Sequence, residues 1–130
     1  MKWQERYATG DAEIDQQHRT LFESSDNFRQ ALDAGRGKRT YDLFLDFLIT
    51  YADMHFSIEE CCMLAHKCPV AEHNKHEHEL FLKRVEKEKT RFTAEGFTHE
   101  SALALVDMVD SWLDSHICRI DTRLKEVIRS

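Results

Sequence analysis

Apolar residues recur along the chain at intervals of three and four, in four segments divided by three short interruptions. The interruptions are Ala34-Gly35-Arg36-Gly37, Lys67-Cys68-Pro69 and Glu95-Gly96-Phe97-Thr98, each with a helix-stopping residue or a capping candidate. The first segment runs from between Asp11 and Asp15 to about Ala34 and aligns His18, Leu21, Phe22, Ser25, Phe28 and Leu32. The second, from about Thr40 to Ala65, aligns Phe44, Leu48, Tyr51, His55, Ile58, Glu59 and Cys62. The third begins near Val70 and carries Asn74, His78, Phe81, Val85 and Phe92. The fourth follows Thr98, an N-cap with Glu100 nearby, and aligns Leu105, Val109, Leu113, His116, Ile120 and Leu124. A stripe at i, i+3, i+4, i+7 marks an amphipathic helix whose apolar face meets a core.

Four such helices with short connections predict an all-α fold, an up-down-up-down four-helix bundle. In that topology the start of helix one, the end of two, the start of three and the end of four share one end of the molecule. His18, His55, His78 and His116 occupy those four places on the core-facing stripes. At 1.5 Å of rise per residue, each lies roughly 5–18 Å from the same end. His55 and Glu59, at i, i+4, project from one helix face, and Asn74 and His78 repeat the spacing. His116 and Asp121 are at i, i+5, which one narrow stripe does not hold.

Buried carboxylates among buried imidazoles are costly unless a cation compensates them. A metal ion supplies that charge while keeping the imidazoles neutral and the carboxylates ionised. A nitrogen and oxygen donor set with no clear thiolate favours iron, manganese or zinc over Cu(I). Two carboxylates that can each bridge point to a dinuclear centre. The plain alternative is a structural bundle with hydrogen-bonded core histidines; convergence of five His, Glu and Asp positions at one level argues against it.

Composition narrows the picture without redirecting it. The 130 residues suit one domain spanning 1–130 with a single core, and one Pro and four Gly leave little room for a turn-rich β architecture. The formal net charge of -6, with no basic stripe visible, makes nucleic acid an unexpected partner. The opening Met1-Lys2-Trp3-Gln4-Glu5-Arg6 lacks the apolar core of a signal peptide, and no apolar run is long enough to span a membrane. The expected setting is the cytoplasm. Cys61, Cys62, Cys68 and Cys118 form no C-x-x-C pair and read as small hydrophobes in a reducing compartment. Of the other histidines, His66 suits a helix C-terminus, His99 reads as solvated, and His73 and His76 as a polar face. The charge run from Lys83 to Lys89 reads as an exposed helix face with i, i+4 pairs.

The segments Ile14-Asp15-Gln16-Gln17-His18 with Leu21-Phe22, His55-Phe56-Ser57-Ile58-Glu59-Glu60 with Met63, His78-Glu79-Leu80-Phe81, and Trp112-Leu113-Asp114-Ser115-His116-Ile117 with Asp121 follow one another at compatible spacing. Together with Trp3 and Gly10, they make the chain resemble the hemerythrins, in particular the single-domain bacterial members, over nearly its whole length. The resemblance implies two iron ions, cycling between Fe2+ and Fe3+, with an oxo or hydroxo bridge and with Glu59 and Asp121 as bridging carboxylates. His18 and His55 would complete one iron and His78 and His116 the other, with a further His expected four residues before His78. That position holds Asn74. His73 is next door, but a regular helix rotates it about 100° away from the slot. Asn74 through its amide oxygen, a water, or His73 would complete the second iron. Phe22, Phe56, Ile58, Leu113 and Ile117 are the expected pocket walls, or equally plain core. The implied function is reversible O2 binding for storage, delivery or sensing, and so binding in place of catalysis. NO and peroxide are further possible ligands. The alternatives are a di-iron oxidase or peroxidase exploiting Asn74, and an O2, NO or redox signalling module acting through a separate partner protein.

Overall fold

A computed structural model describes residues 2–128; Met1, Arg129 and Ser130, at the ends of the expected domain, lie outside the described residues. After a 3-10 turn at Glu5–Tyr7 come α1 (Ala12–Asp33), α2 (Gly37–Ala65), α3 (Ala71–Glu95) and α4 (His99–Arg119). A second 3-10 turn, Asp121–Arg123, leads into a short α5 (Leu124–Ile128). The four long helices pack as a bundle. Among the described residues no helix is long and apolar enough to cross a membrane.

The helix ends follow local chemistry. The Asp11 side chain accepts from the Ile14 amide and starts α1, and Thr98 does the same for α4 through Ser101. At the end of α1, Arg36 N–H reaches the Ala31 carbonyl and Gly35 N–H the Leu32 carbonyl, with Gly35 at φ 79°. This Schellman arrangement needs a left-handed residue, which glycine supplies without strain. The end of α2 is built the same way: Cys68 N–H bonds Met63 and Lys67 N–H bonds Leu64. Here the left-handed position, φ 54°, is Lys67.

Two boundaries differ from expectation. Helix α2 begins at Gly37, not near Thr40. A Cβ on Gly37 would stand 2.5 Å from Leu32 Cδ1, so the absence of a side chain lets α2 start hard against α1. Helix α4 does not run through Leu124; it stops at Arg119, and Ile120 (φ -116°, ψ -60°) turns the chain. The predicted inner stripes are otherwise buried, apart from Tyr51, Ile58, Cys62 and Phe92, which are partly covered.

Two apolar clusters result. The larger fills most of the bundle and includes Phe22, Phe28, Tyr41, Phe44, Leu48, Phe56, Phe81, Leu113 and Ile117. The smaller comprises Ile14, Met63, Cys68, Ile120 and Leu124. Ile14, Met63 and Ile120 each lie four residues from a polar inward residue, respectively His18, Glu59 and His116. A layer of buried imidazoles and carboxylates therefore sits between two apolar layers.

Candidate metal centre

That layer holds His18, His55, Glu59, Asn74, His78, His116 and Asp121, all buried to 1% exposure or less. The imidazoles come from four helices, as the bundle topology requires. Asp121 reaches the layer because α4 ends. The turn at Ile120 carries its carboxylate back so that Oδ1 lies 3.0 Å from His116 Nε2, resolving the i, i+5 spacing.

The donors divide into two groups that share both carboxylates. In the first, His18 Nε2 stands 3.2 Å from Glu59 Oε2 and 3.1 Å from Asp121 Oδ2, and His55 Nε2 is 3.6 Å from Glu59 Oε2. In the second, His78 Nε2 is 3.1 Å from Glu59 Oε1, and His116 Nε2 is 3.1 Å from His78 Nε2. Asn74 Oδ1 is 2.8 Å from His116 Nε2. Each carboxylate thus turns one oxygen to each group. Ligand atoms of His18, His55 and Glu59 lie within 4.8 Å of one another, as do those of Glu59, His78, His116 and Asp121. Donors about 2.1 Å from a shared ion would be about 3.0 Å apart at right angles and about 4.2 Å apart across it. The spacings match that pattern.

Three of the four rings are hydrogen-bonded on the side that faces away from the carboxylates. His55 Nδ1 lies 2.6 Å from Gln17 Oε1, His78 Nδ1 2.9 Å from Glu60 Oε2, and His116 Nδ1 2.7 Å from Glu77 Oε1. With each Nδ1–H donating outward, Nε2 presents its lone pair inward. In that tautomer the lone pairs of His78 and His116 face each other at 3.1 Å, an arrangement that a proton or a metal cation relieves. His18 Nε2, both oxygens of Glu59 and both oxygens of Asp121 are buried without a hydrogen-bond partner. His18 contacts both carboxylates, but neither contact has hydrogen-bond geometry. Orphaned buried donors and acceptors of this kind are rare in a finished core and are the donor set a metal ion satisfies.

Electrostatics points the same way. Burial opposes a charge on His18, yet Asp121 and Glu59 outweigh it and carry the imidazole up to about 10. His116 is likewise opposed by burial and raised, chiefly by Asp121, to about 9. Burial pushes His55 down to about 3. Burial and mutual repulsion work against Glu59, and burial against Asp121, but the surrounding imidazoles hold both carboxylates below their ordinary range. The pair of anions demands positive charge from whatever stands between them.

The remaining sequence candidates fall outside the layer or at its edge. His73 is more than half exposed on regular α-helix and pairs with Glu77 at 2.8 Å, so it takes no part. His66, His76 and His99 are exposed. Phe22, Phe56, Leu113 and Ile117 belong to the larger cluster, whereas Ile58 is only partly buried and packs on the smaller one. The Phe56 ring stacks on His78 at 3.8 Å and Trp112 on His116 at 4.3 Å. Burial raises the Cys62 thiol above its ordinary range. Sequence reading missed Gln17, Glu60 and Glu77 as ring-orienting residues. Their signal was present: each is a polar residue adjacent to an inward His or Glu, where the 100° step places it at the edge facing a neighbouring helix.

A bundle carrying two carboxylate-linked donor groups is a cation-binding helical protein by construction. The Hemerythrin HHE cation binding domain matches residues 9–128, and the chain belongs to the hemerythrin family. It is similar to the bacteriohemerythrin of Stenotrophomonas maltophilia, 32% identical over 116 residues that cover 88% of this chain and 72% of that protein. The bacteriohemerythrin of Clostridium acetobutylicum is 27% identical over 92% of this chain and 94% of its own length. That of Pseudomonas aeruginosa is 29% identical over 98% and 80% respectively. A crystal structure of wild-type hemerythrin superimposes with a TM-score of 0.86 at 23% identity, over 100% of this chain and 98% of that one.

Proposed function

We propose that this protein binds O2 reversibly at a di-iron centre. His18 and His55 hold one iron, His78, His116 and the Asn74 amide oxygen the other, and Glu59 and Asp121 join them. One observation carries the reading: both carboxylates divide their oxygens between the same two imidazole groups. When bound, the iron pair with its oxo or hydroxo bridge supplies the electrons and the open position that O2 requires. The chain supplies the rest. Gln17, Glu60 and Glu77 set the tautomers of three rings. Phe22, Phe56, Leu113 and Ile117 keep water from the buried side. The first group has fewer protein donors than the second, which assigns the exogenous ligand to the side of His18 and His55. A cytoplasmic setting suits the four free thiols.

Metal analysis of anaerobically reconstituted protein, followed by optical spectra on exposure to O2 and on its removal, tests the proposal. We expect about two irons per chain and a charge-transfer band that appears with O2 and disappears without it. Absence of iron uptake, or a spectrum that never reverses, overturns reversible binding. An oxidase or peroxidase reading draws on Asn74, which gives the second group a weaker donor than an imidazole. Rapid turnover of peroxide by the purified protein, abolished by Asn74→His, would favour it.

A further inference from the structure

Beyond the buried layer, the seam between α3 and α4 opens into a groove of about 490 Å³. Its lining on α3 includes Leu80, Lys83, Arg84 and Lys87, and on α4 Trp112 and Arg119. Those α3 residues are at i, i+3, i+4 and i+7 and so share one helix face. The expectation for this run was internal i, i+4 charge pairing. The structure shows otherwise. Lys89 crosses to Asp42 and Asp46 on α2, and Glu88 binds Arg91 and accepts from Tyr41. Among the described residues, Lys83, Arg84 and Lys87 form no ion pair.

Lys83 and Lys87, at i, i+4, and Arg84 and Lys87, at i, i+3, set like charges beside one another, an arrangement that weakens a helix. Among the described residues the one acid in the lining, Glu77, is already engaged by His116 and Arg119. A chain of net charge -6 therefore concentrates three cations without an ion pair, and Arg119 paired with Glu77, around a half-buried tryptophan. Another cavity beside an indole makes the contrast. It contains Trp3 and Arg19, but Arg19 already lies over the indole at 4.1 Å and Glu23 and Asp26 line the same space.

We propose that the α3–α4 groove binds a small organic anion, an aromatic ring system carrying a phosphate or carboxylate. The apolar floor of Leu80, Phe81 and Trp112 takes the ring, and Lys83, Arg84, Lys87 and Arg119 take the anion. The volume lies within the range of small-molecule sites, and the lining combines apolar surface with a few convergent charges. Trp112 connects this groove to the buried layer, since the indole that lines it also stacks on His116. Arg119 makes a second connection through Glu77. Binding does not depend on which metal, if any, the buried layer holds.

Calorimetric titration of the full chain at low salt with flavin mononucleotide, riboflavin and inorganic phosphate tests the site. The nucleotide joins ring and anion, riboflavin has the ring alone, and phosphate the anion alone. One flavin mononucleotide per chain is expected, bound at least about fivefold more tightly than either fragment and weakening as salt rises. The double variant R84Q/K87Q should bind it about five- to tenfold more weakly and leave riboflavin unchanged. Both side chains are exposed, so the bundle is retained, and circular dichroism verifies this. No saturable binding, phosphate binding as tightly as the nucleotide, or equal affinity in the double variant each overturns the proposal.

Discussion

Glu77→Ala is expected to loosen metal binding on the side of His78 and His116. The Glu77 carboxylate lies 2.7 Å from His116 Nδ1, a short, charge-assisted hydrogen bond in a site only 15% exposed. It fixes the ring tautomer and makes the inward Nε2 a stronger donor. Burial works to raise the Glu77 pKa, but His116 and Arg119 bring it below the ordinary glutamate range, so the group is a carboxylate at neutral pH. Loss of an outer partner of this kind typically costs 10–100-fold in metal affinity, about 1.4–2.7 kcal/mol. Ala removes both acceptor and charge and should fall near the upper figure. Gln keeps an acceptor oxygen without the charge and should fall near the lower one. Glu72→Ala, an exposed acid on the same helix, is the control and should change nothing. The assay is metal retention against a graded chelator, read as ions per chain, with the Ala variant dropping from about two towards one at concentrations the parent withstands. If Glu77→Ala retained metal as the parent does, or lost no more than Glu72→Ala, the ring-orienting role assigned to Glu77 would be wrong.

Asn74→His should place a third imidazole beside His78 and His116, slow metal loss from that side and lengthen the life of the oxygenated protein; unchanged lifetimes in stopped-flow decay would count against Asn74 as a donor. In metal-free protein the raised His18 and His116, at about 10 and about 9 against 6.5, give stability that is whole below about pH 6.5 and fades as pH rises through 9–10. His55, depressed to about 3, and the depressed Glu59 and Asp121 act oppositely, so stability is also lost as pH falls from about 6.5 into the acid range. Denaturant melts at pH 5, 7 and 10 should therefore peak near neutral without metal, and metal loading should flatten the alkaline side. Lys67→Gly should stabilise the fold by roughly 0.5–1 kcal/mol, because Lys67 holds a left-handed φ of 54° that glycine adopts without strain. A thermal midpoint that fell on this substitution would contradict the Schellman ending of α2.

Much of the molecule was legible from residue order. The stripe of His18, Leu21, Phe22, Ser25, Phe28 and Leu32 is buried as its period required, and Asp11 and Thr98 cap the helices they precede. Four amphipathic helices with short links must alternate direction, and that alone brings four histidines to one end. These features are local, governed by a 3.6-residue repeat and by unsatisfied amides at helix starts, and they survive any detail of packing. What neighbouring helices do to one another is a different matter. The break at Ile120 that returns Asp121 to His116, and the close start of α2 at Gly37, depend on how the helices approach. So do the outward bonds to Gln17, Glu60 and Glu77. Asn74 is inside and His73 outside because α3 stays regular under that packing. The division of each carboxylate between two imidazole groups likewise exists only in three dimensions. A residue's period says which face it occupies; only the rotation and depth of the facing helix decide which atom it meets.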